Sequence, residues 1–406
     1  MTKVINDPVH GHIMFGAKVM RIVDTQEFQR LRDLKQLGLT QYVFPGATHT
    51  RFEHCLGVAH LAGKLAKRLM LDQPELNLTQ HHCELVEIAG LVHDLGHGPF
   101  SHCFEGFINI ARENVHFEHE EMSCALFEKL VKENNIDMSD EDIRQVQAYV
   151  IGERDDTSPY AFLSDIVSNK RNSVDVDKFD YLERDCYYCG IKMSFDCSRL
   201  MMFSRVIDNE ICYPSKEIYS LYEMFHMRYT MHKQVYSHKV SQALEYMIVD
   251  IFILADSVLH ISQSIDSPSE YCRFSDSLLS LIEMSQDPRL VEAQKLIKRI
   301  RQRDLYKLAL EALISKEWNR PTPTEDDIVN ASSGHLVKSD LILKERKINY
   351  ALKDQNPVDN ISFFYAKEEN PKKFHIGKAH VSLMISDVFE EHYVRLMCHE
   401  HDVQIL

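Results

Sequence analysis

The chain has 406 residues, of which 44% are hydrophobic and 26% charged, and a formal net charge of −15 at pH 7. That length buries a large core and allows two or three domains, whereas no run of about 20 uncharged apolar residues suits a membrane span. The acidity argues against a broad nucleic-acid surface, but a local cluster of Arg and Lys can still hold a small anion.

The opening "MTKVINDPVHGH" lacks the apolar core of a signal peptide, and no basic import cluster stands out. A cytoplasmic or nuclear setting with reduced cysteines is expected. Asp24 followed by Glu27 predicts a capping box that opens a helix over 25–38. Thr50 precedes a second helix, with Phe52, Leu56, Ala59, Ala62, Ala66 and Leu69 on one side. Thr79 precedes a third, whose buried stripe is Leu85, Ile88, Leu91 and Leu95. Further helical periods cover about 117–134, 160–170, 175–188, 217–259 and 288–316. The proline-rich "NRPTPTEDD" ends this region. Beyond it, 340–352, 360–367, 372–377 and 392–400 read as strands, with 379–391 as a helix between them. The expected fold is mainly α, with a helical domain over 1–320 and a small C-terminal α/β lobe over 321–406. Cys186 and Cys189 form a C-x-x-C, but no second pair follows at zinc-finger spacing.

The stretch "LVHDLGHGPFSH" places His93, Asp94, His97 and His102 at the end of an apolar helix, among turn-forming glycines and a proline. Neighbouring helix residues point about 100° apart, so His93 and Asp94 can share an ion only near the helix end, with other ligands closing the shell. His54 in "TRFEH" and Asp177 in "DVDKFDY" are the candidates. Two imidazoles and two carboxylates suit a divalent ion: iron, manganese, zinc or magnesium. A helix C-terminus capped by glycine would explain the glycines equally well.

Arg51 stands three residues before His54, on the same helix face. Arg228, His232 and Tyr236 form another stripe, where a guanidinium fork suits phosphate oxygens and a solvated basic face is the plainer account. Asp177, Tyr181 and Asp185 recur every four residues. A carboxylate beside a phenol can hold a sugar hydroxyl, and a polar face capped by Arg184 explains the spacing about as well.

The pattern His54, His93–Asp94, Asp177 resembles the HD-domain phosphohydrolase superfamily. Longer blocks, "NDPVHGHI", "YVFPGATHTRFEHCLGVAHLAG", "IVSNKRNSVDVDKFDYLERD" and "LYEMFHMR", are similar to its SAM-and-HD-domain dNTP triphosphohydrolases. The similarity runs from Lys3 to near the C-terminus and does not include the family's SAM domain. It implies a metal held by His54, His93, Asp94 and Asp177. It places Arg51, His97, His102, His119, Lys178 and Arg228 around a triphosphate, with His232 on the same stripe as Arg228. Tyr181 and Asp185 would grip a 3′-hydroxyl, and Tyr236, with Gln36 and Leu37 nearby, would exclude a 2′-hydroxyl. His119 is the expected proton donor, with His102 and His97 as its partners and Glu105 orienting His102.

The resemblance further implies a homo-oligomer, dimer or tetramer, activated by GTP or dGTP and by a dNTP. The first effector site would use Lys3, Val4, Asp24, Gln29 and Arg32, with Arg303 and Lys307 from a neighbour. The second would use Asn6, Val43, Arg199, Lys216, His238, Lys239 and Lys378. Here the sequence departs from the family: Pro214 replaces an arginine and Ser220 an asparagine. Proline removes both a charge and a backbone donor, so a weakened second site is expected. Two alternatives to the dNTP hydrolase stay open: an HD phosphodiesterase on another nucleotide, and a non-catalytic nucleotide sensor or nucleic-acid-binding module.

Overall fold

Capping sets where the central helices begin. The computed structural model describes residues 2–315, 318, 321–332, 335–377, 381–382 and 385–399. Thr50 opens the helix Arg51–Asp72, and its backbone N–H donates to Glu53 at 2.6 Å. Thr79 caps the helix Gln80–Val92. These two helices lie side by side at the centre. They approach so closely at Gly90 that a Cβ there would stand 3.0 Å from the Val58 carbonyl oxygen. Around them pack the helices His102–Ala111, His119–Glu133, Asp140–Ile151 and Val176–Cys189, and then Ile218–Met231, Lys239–Leu259 and Val291–Gln302. One continuous apolar core runs through all of them.

The strands are few and short. β1 (Lys3–Asp7) and β2 (Gly11–Phe15) form an antiparallel hairpin, as do β3 (Arg205–Ile207) and β4 (Glu210–Pro214). Among the described residues four later strands follow: β5 (Lys307–Ile314), β6 (Leu341–Asn349), β7 (Phe363–Phe364) and β8 (Glu390–Cys398). β8 lies between β5 and β6, antiparallel to both, and β7 pairs in parallel with β4. The mainly α fold with a small strand-bearing lobe is as expected. No helix among the described residues is long and apolar enough to cross a membrane.

Several local expectations give way to tertiary pairing. Thr25, not Asp24, caps the short helix Gln26–Gln29, which tightens into a 3₁₀ turn over Arg30–Asp33. The chain is extended again at Leu34, because Leu34 O accepts the Arg51 N–H and Lys35 bridges Thr50. The long period over 217–259 is broken by a π turn at His232–Tyr236. The helix expected to reach 316 ends at Gln302, where Arg303 turns left-handed (φ 62°) and releases the chain into β5. Of the helix expected at 379–391, Ala379, His380, Leu383 and Met384 lie outside the described residues, and the others are not helical. The hairpin β1–β2 and the helix His102–Ala111 were not anticipated.

Candidate active site

Three elements bring four side chains to one point. His54 comes from the Arg51–Asp72 helix, His93 and Asp94 from the end of Gln80–Val92, and Asp177 from the first turn of Val176–Cys189. His54 Nε2 lies 3.1 Å from Asp177 Oδ1 and 3.7 Å from Asp94 Oδ2. His93 Nε2 lies 3.4 Å from Asp94 and 3.5 Å from Asp177. Each ring is oriented from behind. His54 Nδ1 donates to Asp180 at 2.7 Å and His93 Nδ1 to Gly90 O at 2.9 Å, so both Nε2 atoms face the carboxylates. His93 Nε2 is buried without a hydrogen-bond partner, and His54, His93 and Asp94 together could hold an ion.

The electrostatics of the four residues suit a cation. Burial pulls the His54 imidazole down, yet hydrogen bonds to Asp177 and Asp180 and the charge of Asp94 lift it to about 10. His93 is lifted in the same way, against burial, by Asp94 and Asp177. Burial opposes the charged form of Asp94, but His93, Arg51 and His97 hold it well below the usual carboxylate range. The two carboxylates favour positive charge at this point, and the donor set of two imidazoles and two carboxylates fits a divalent ion.

Beside this cradle, Arg51 is buried against Asp94 and donates from Nη2 to Ser101 Oγ at 2.7 Å. His97 stacks on His119, with ring centroids 3.8 Å apart, and the exposed His102 stands 5.8 Å from His97. Glu105 accepts from both His102 Nδ1 (3.1 Å) and His119 Nδ1 (2.7 Å). Burial lowers His119, but Glu105, Asp94 and Glu120 raise it overall. His97, buried between Arg51 and His119, is held well below its ordinary value and stays neutral. Lys178 pairs with Asp175 and, with Asp177, His93 and His119, lines a cavity of about 100 Å³.

The sugar-recognition candidates also meet. Tyr236 O–H donates to Asp185 at 2.6 Å, and the Tyr181 ring stands edge-on to Tyr236 with centroids 6.4 Å apart. His232 lies against Tyr236 (5.0 Å), brought there by the π turn. Arg228 donates to Asn349 O at 2.6 Å while its Nε has no partner. The Gln36 N–H donates to His49 O at 3.0 Å and its buried Oε1 is unpartnered, with Leu37 next to it packed on the core.

The effector candidates fall in separate groups. Lys3 pairs with Asp24 at 3.2 Å near the exposed Val4, and Gln29 bonds both Val23 O and Arg32. Asn6 lies on β1, and Arg303 reaches Tyr42 O, next to Val43. Lys307 opens β5. Arg199 and Lys216 both lie over the Phe203 ring, and Arg199 is tied to Glu217, which Ser220 also contacts. His238 packs against Phe44 and caps the helix that starts at Lys239. Lys378 lies outside the described residues.

Sequence reasoning missed the groups that hold the site in place. Asp180 accepts from His54, from His10 Nε2 (2.6 Å) and from both ends of the Arg184 guanidinium, and Arg184 Nη1 also donates to Asp7 at 2.9 Å. Arg184 therefore does not cap the Asp177–Tyr181–Asp185 stripe. It ties the N-terminal hairpin to the back of a candidate ligand. Asp276 accepts from Lys35 N and Phe100 N, joining the Gln36 segment to the left-handed turn at Phe100–Ser101. Spacing offered one clue: Asp180 and Arg184 follow Asp177 at helical intervals.

The HD domain family matches residues 51–185, a span that contains all four candidate ligands, and the HD associated region matches 195–330. The Deoxynucleoside triphosphate triphosphohydrolase SAMHD1 homolog of Dictyostelium discoideum is 46% identical over 401 residues, covering 98% of this chain and 77% of the relative. Deoxynucleoside triphosphate triphosphohydrolase SAMHD1 of Homo sapiens is 40% identical over 446 residues, covering 98% and 71%. The HD domain-containing protein L394 of Acanthamoeba polyphaga mimivirus is 32% identical over 433 residues, covering 99% and 93%. Similarity of this extent, over a site with the HD arrangement of histidines and aspartates, identifies the chain as a member of the HD-domain family that includes SAMHD1 and its homologues.

Proposed function

We propose that this chain hydrolyses a dNTP to a deoxynucleoside and inorganic triphosphate. The observation that carries the reading is the placing of Asp185, held by Tyr236, two turns along the same helix face from Asp177. A sugar-binding carboxylate and a metal-binding one thus share a rigid element. A divalent ion held by His54, His93, Asp94 and Asp177 would supply a Lewis acid beside the α-phosphorus; iron, manganese, zinc and magnesium all suit the donors. Water attacks that phosphorus, the bond to the 5′-oxygen breaks, and the water oxygen leaves in the triphosphate. Arg51, Lys178 and Arg228 offset charge on the phosphoryl oxygens. The departing 5′-oxygen takes its proton from the histidine pair bridged by Glu105, where Glu105, Asp94 and Glu120 raise His119 against burial and His102 stands at the open end. Neutral His97 stacks beneath.

Product analysis tests the reading: each dNTP with a divalent metal should yield deoxynucleoside and triphosphate. Monophosphate and pyrophosphate would point to a different HD activity, and nucleotide binding with no turnover to a sensor. Glu105→Gln is expected to lower kcat about 100-fold, the lower end of what general acid catalysis contributes, with bound metal unchanged. An unaltered kcat would remove the pair from the chemistry.

Burial and the charges of Arg228, His102 and Arg346 hold His232 down to about 3. The negative charge of a triphosphate opposes those cations and must raise it. His232 is therefore expected to take up a proton on nucleotide binding on the acid side, in the window that opens above about 3, and His232→Gln should remove that uptake in calorimetry run in two buffers of different ionisation enthalpy. An identical proton balance in wild type and His232→Gln would argue against a triphosphate seated at His232.

GTP or dGTP at the first effector group and a dNTP at the second are the proposed activators, acting in a homo-oligomeric dimer or tetramer. Lys3, Asp24, Gln29 and Arg32 lie close enough to serve one ligand. In the second group Arg199 is engaged by Glu217 and Pro214 adds no charge, which supports a weaker site. Running the product assay with and without GTP reads the first group directly. The division into a hydrolase body, 1–320, and a lobe, 321–406, belongs to the same proposal, with β5 of the body joining the lobe's sheet.

A further inference from the structure

Between the Gln36 segment and the sugar-recognition residues runs the loop 44–49. Gly46 lets it lie directly on the end of the Val176–Cys189 helix, since a Cβ there would stand 2.4 Å from Tyr188 O. His49 then stacks on the Tyr188 ring, with centroids 4.4 Å and planes 15° apart. Its Nε2 lies 2.7 Å from Asp185 Oδ1, both side chains being buried. Its carbonyl accepts the Gln36 N–H at 3.0 Å. The second Asp185 oxygen accepts from Tyr236 at 2.6 Å. His49 Nδ1 is buried and has no partner. A bare ring nitrogen tolerates that far better than an N–H does. His49 accordingly donates to Asp185 through its Nε2–H.

We infer that His49 is a positioning residue for sugar recognition: it aims the Asp185 carboxylate, and through Gln36 the neighbouring wall, so that a 3′-hydroxyl is gripped in one geometry. This rests on the reading of Asp185 as the acceptor of that hydroxyl. Each carboxylate oxygen has two lone pairs. His49 and Tyr236 occupy one on each, which fixes the plane of the group and aims the remaining pair at the ligand. Without His49 the carboxylate is held only at Tyr236 and can turn about its terminal torsion.

The test compares binding of two non-hydrolysable α,β-imido nucleotides in magnesium, a dNTP analogue and its 2′,3′-dideoxy counterpart. His49→Phe keeps the stack on Tyr188 and removes the donor. It is expected to weaken the dNTP analogue about 10- to 100-fold and the dideoxy analogue by less than about twofold, the loss expected for one hydrogen bond to a charged group. His49→Gln, whose amide N–H reaches towards the same oxygen, should recover most of the loss. That variant also keeps the inference testable if His49→Phe lowers the melting temperature. Equal losses for both analogues in either variant, or a wild type that binds both alike, would overturn it. A wild type that discriminates in binding yet turns over no dNTP would defeat the hydrolase reading and leave the role of His49 standing.

Discussion

Asp94→Asn is expected to release the metal and abolish turnover. Asp94 faces His54 at 3.7 Å, His93 at 3.4 Å and His97 at 3.3 Å, and it is the partner of buried Arg51. An amide keeps the shape but removes the charge, so the cradle keeps one carboxylate, Asp177, and Arg51 loses its counter-ion. A Lewis acid contributes several kcal/mol to the transition state, so turnover of a dNTP should fall at least about 1000-fold. Elemental analysis after dialysis should find the variant largely metal-free. A variant that keeps both its metal and a tenth of wild-type turnover would show that Asp94 is not a ligand.

Arg184→Met should be the most damaging change outside the cleft. Arg184 is fully buried and bound to Asp180 and Asp7, which are themselves almost fully buried. The charges of Arg184 and its hydrogen bonds, with those of His10 and His54, hold Asp180 well below the usual carboxylate range despite burial. Removing the guanidinium takes the counter-ion from two buried carboxylates, and denaturant unfolding should show a loss of about 3–5 kcal/mol. The same change loosens the hydrogen bond that orients His54, so divalent-metal affinity should fall by about 10- to 100-fold. Unchanged affinity in a folded variant would mean that Asp180 orients His54 without help from the hairpin.

These two cases mark how far the sequence could be read. The meeting of Asp94 with His93 and His54 was legible because the pattern is short-range: an adjacent histidine and aspartate at a helix end, a turn after them, and a histidine one helix earlier. The same holds for Arg51 and His54, three residues apart, and for Asp177 and Asp185, eight apart on one helix face. Arg184 was misjudged for a complementary reason. An arginine on a helix bearing several carboxylates reads as a solvated face, and only the arrival of Asp7 and His10, more than 160 residues earlier in the chain, buries it. His49 was overlooked because its partner, Asp185, is 136 residues away.

The sequence by itself determined the mainly helical fold, the helix caps at Thr50 and Thr79, and the residue types of the cradle, because period, capping and coordination chemistry act over a few residues. Only the tertiary structure decided which imidazole nitrogens face inward and that His97 stacks on His119. It also decided the π turn that delivers His232 and Tyr236. Those outcomes depend on burial and on partners brought from distant segments, and no local spacing carries that information.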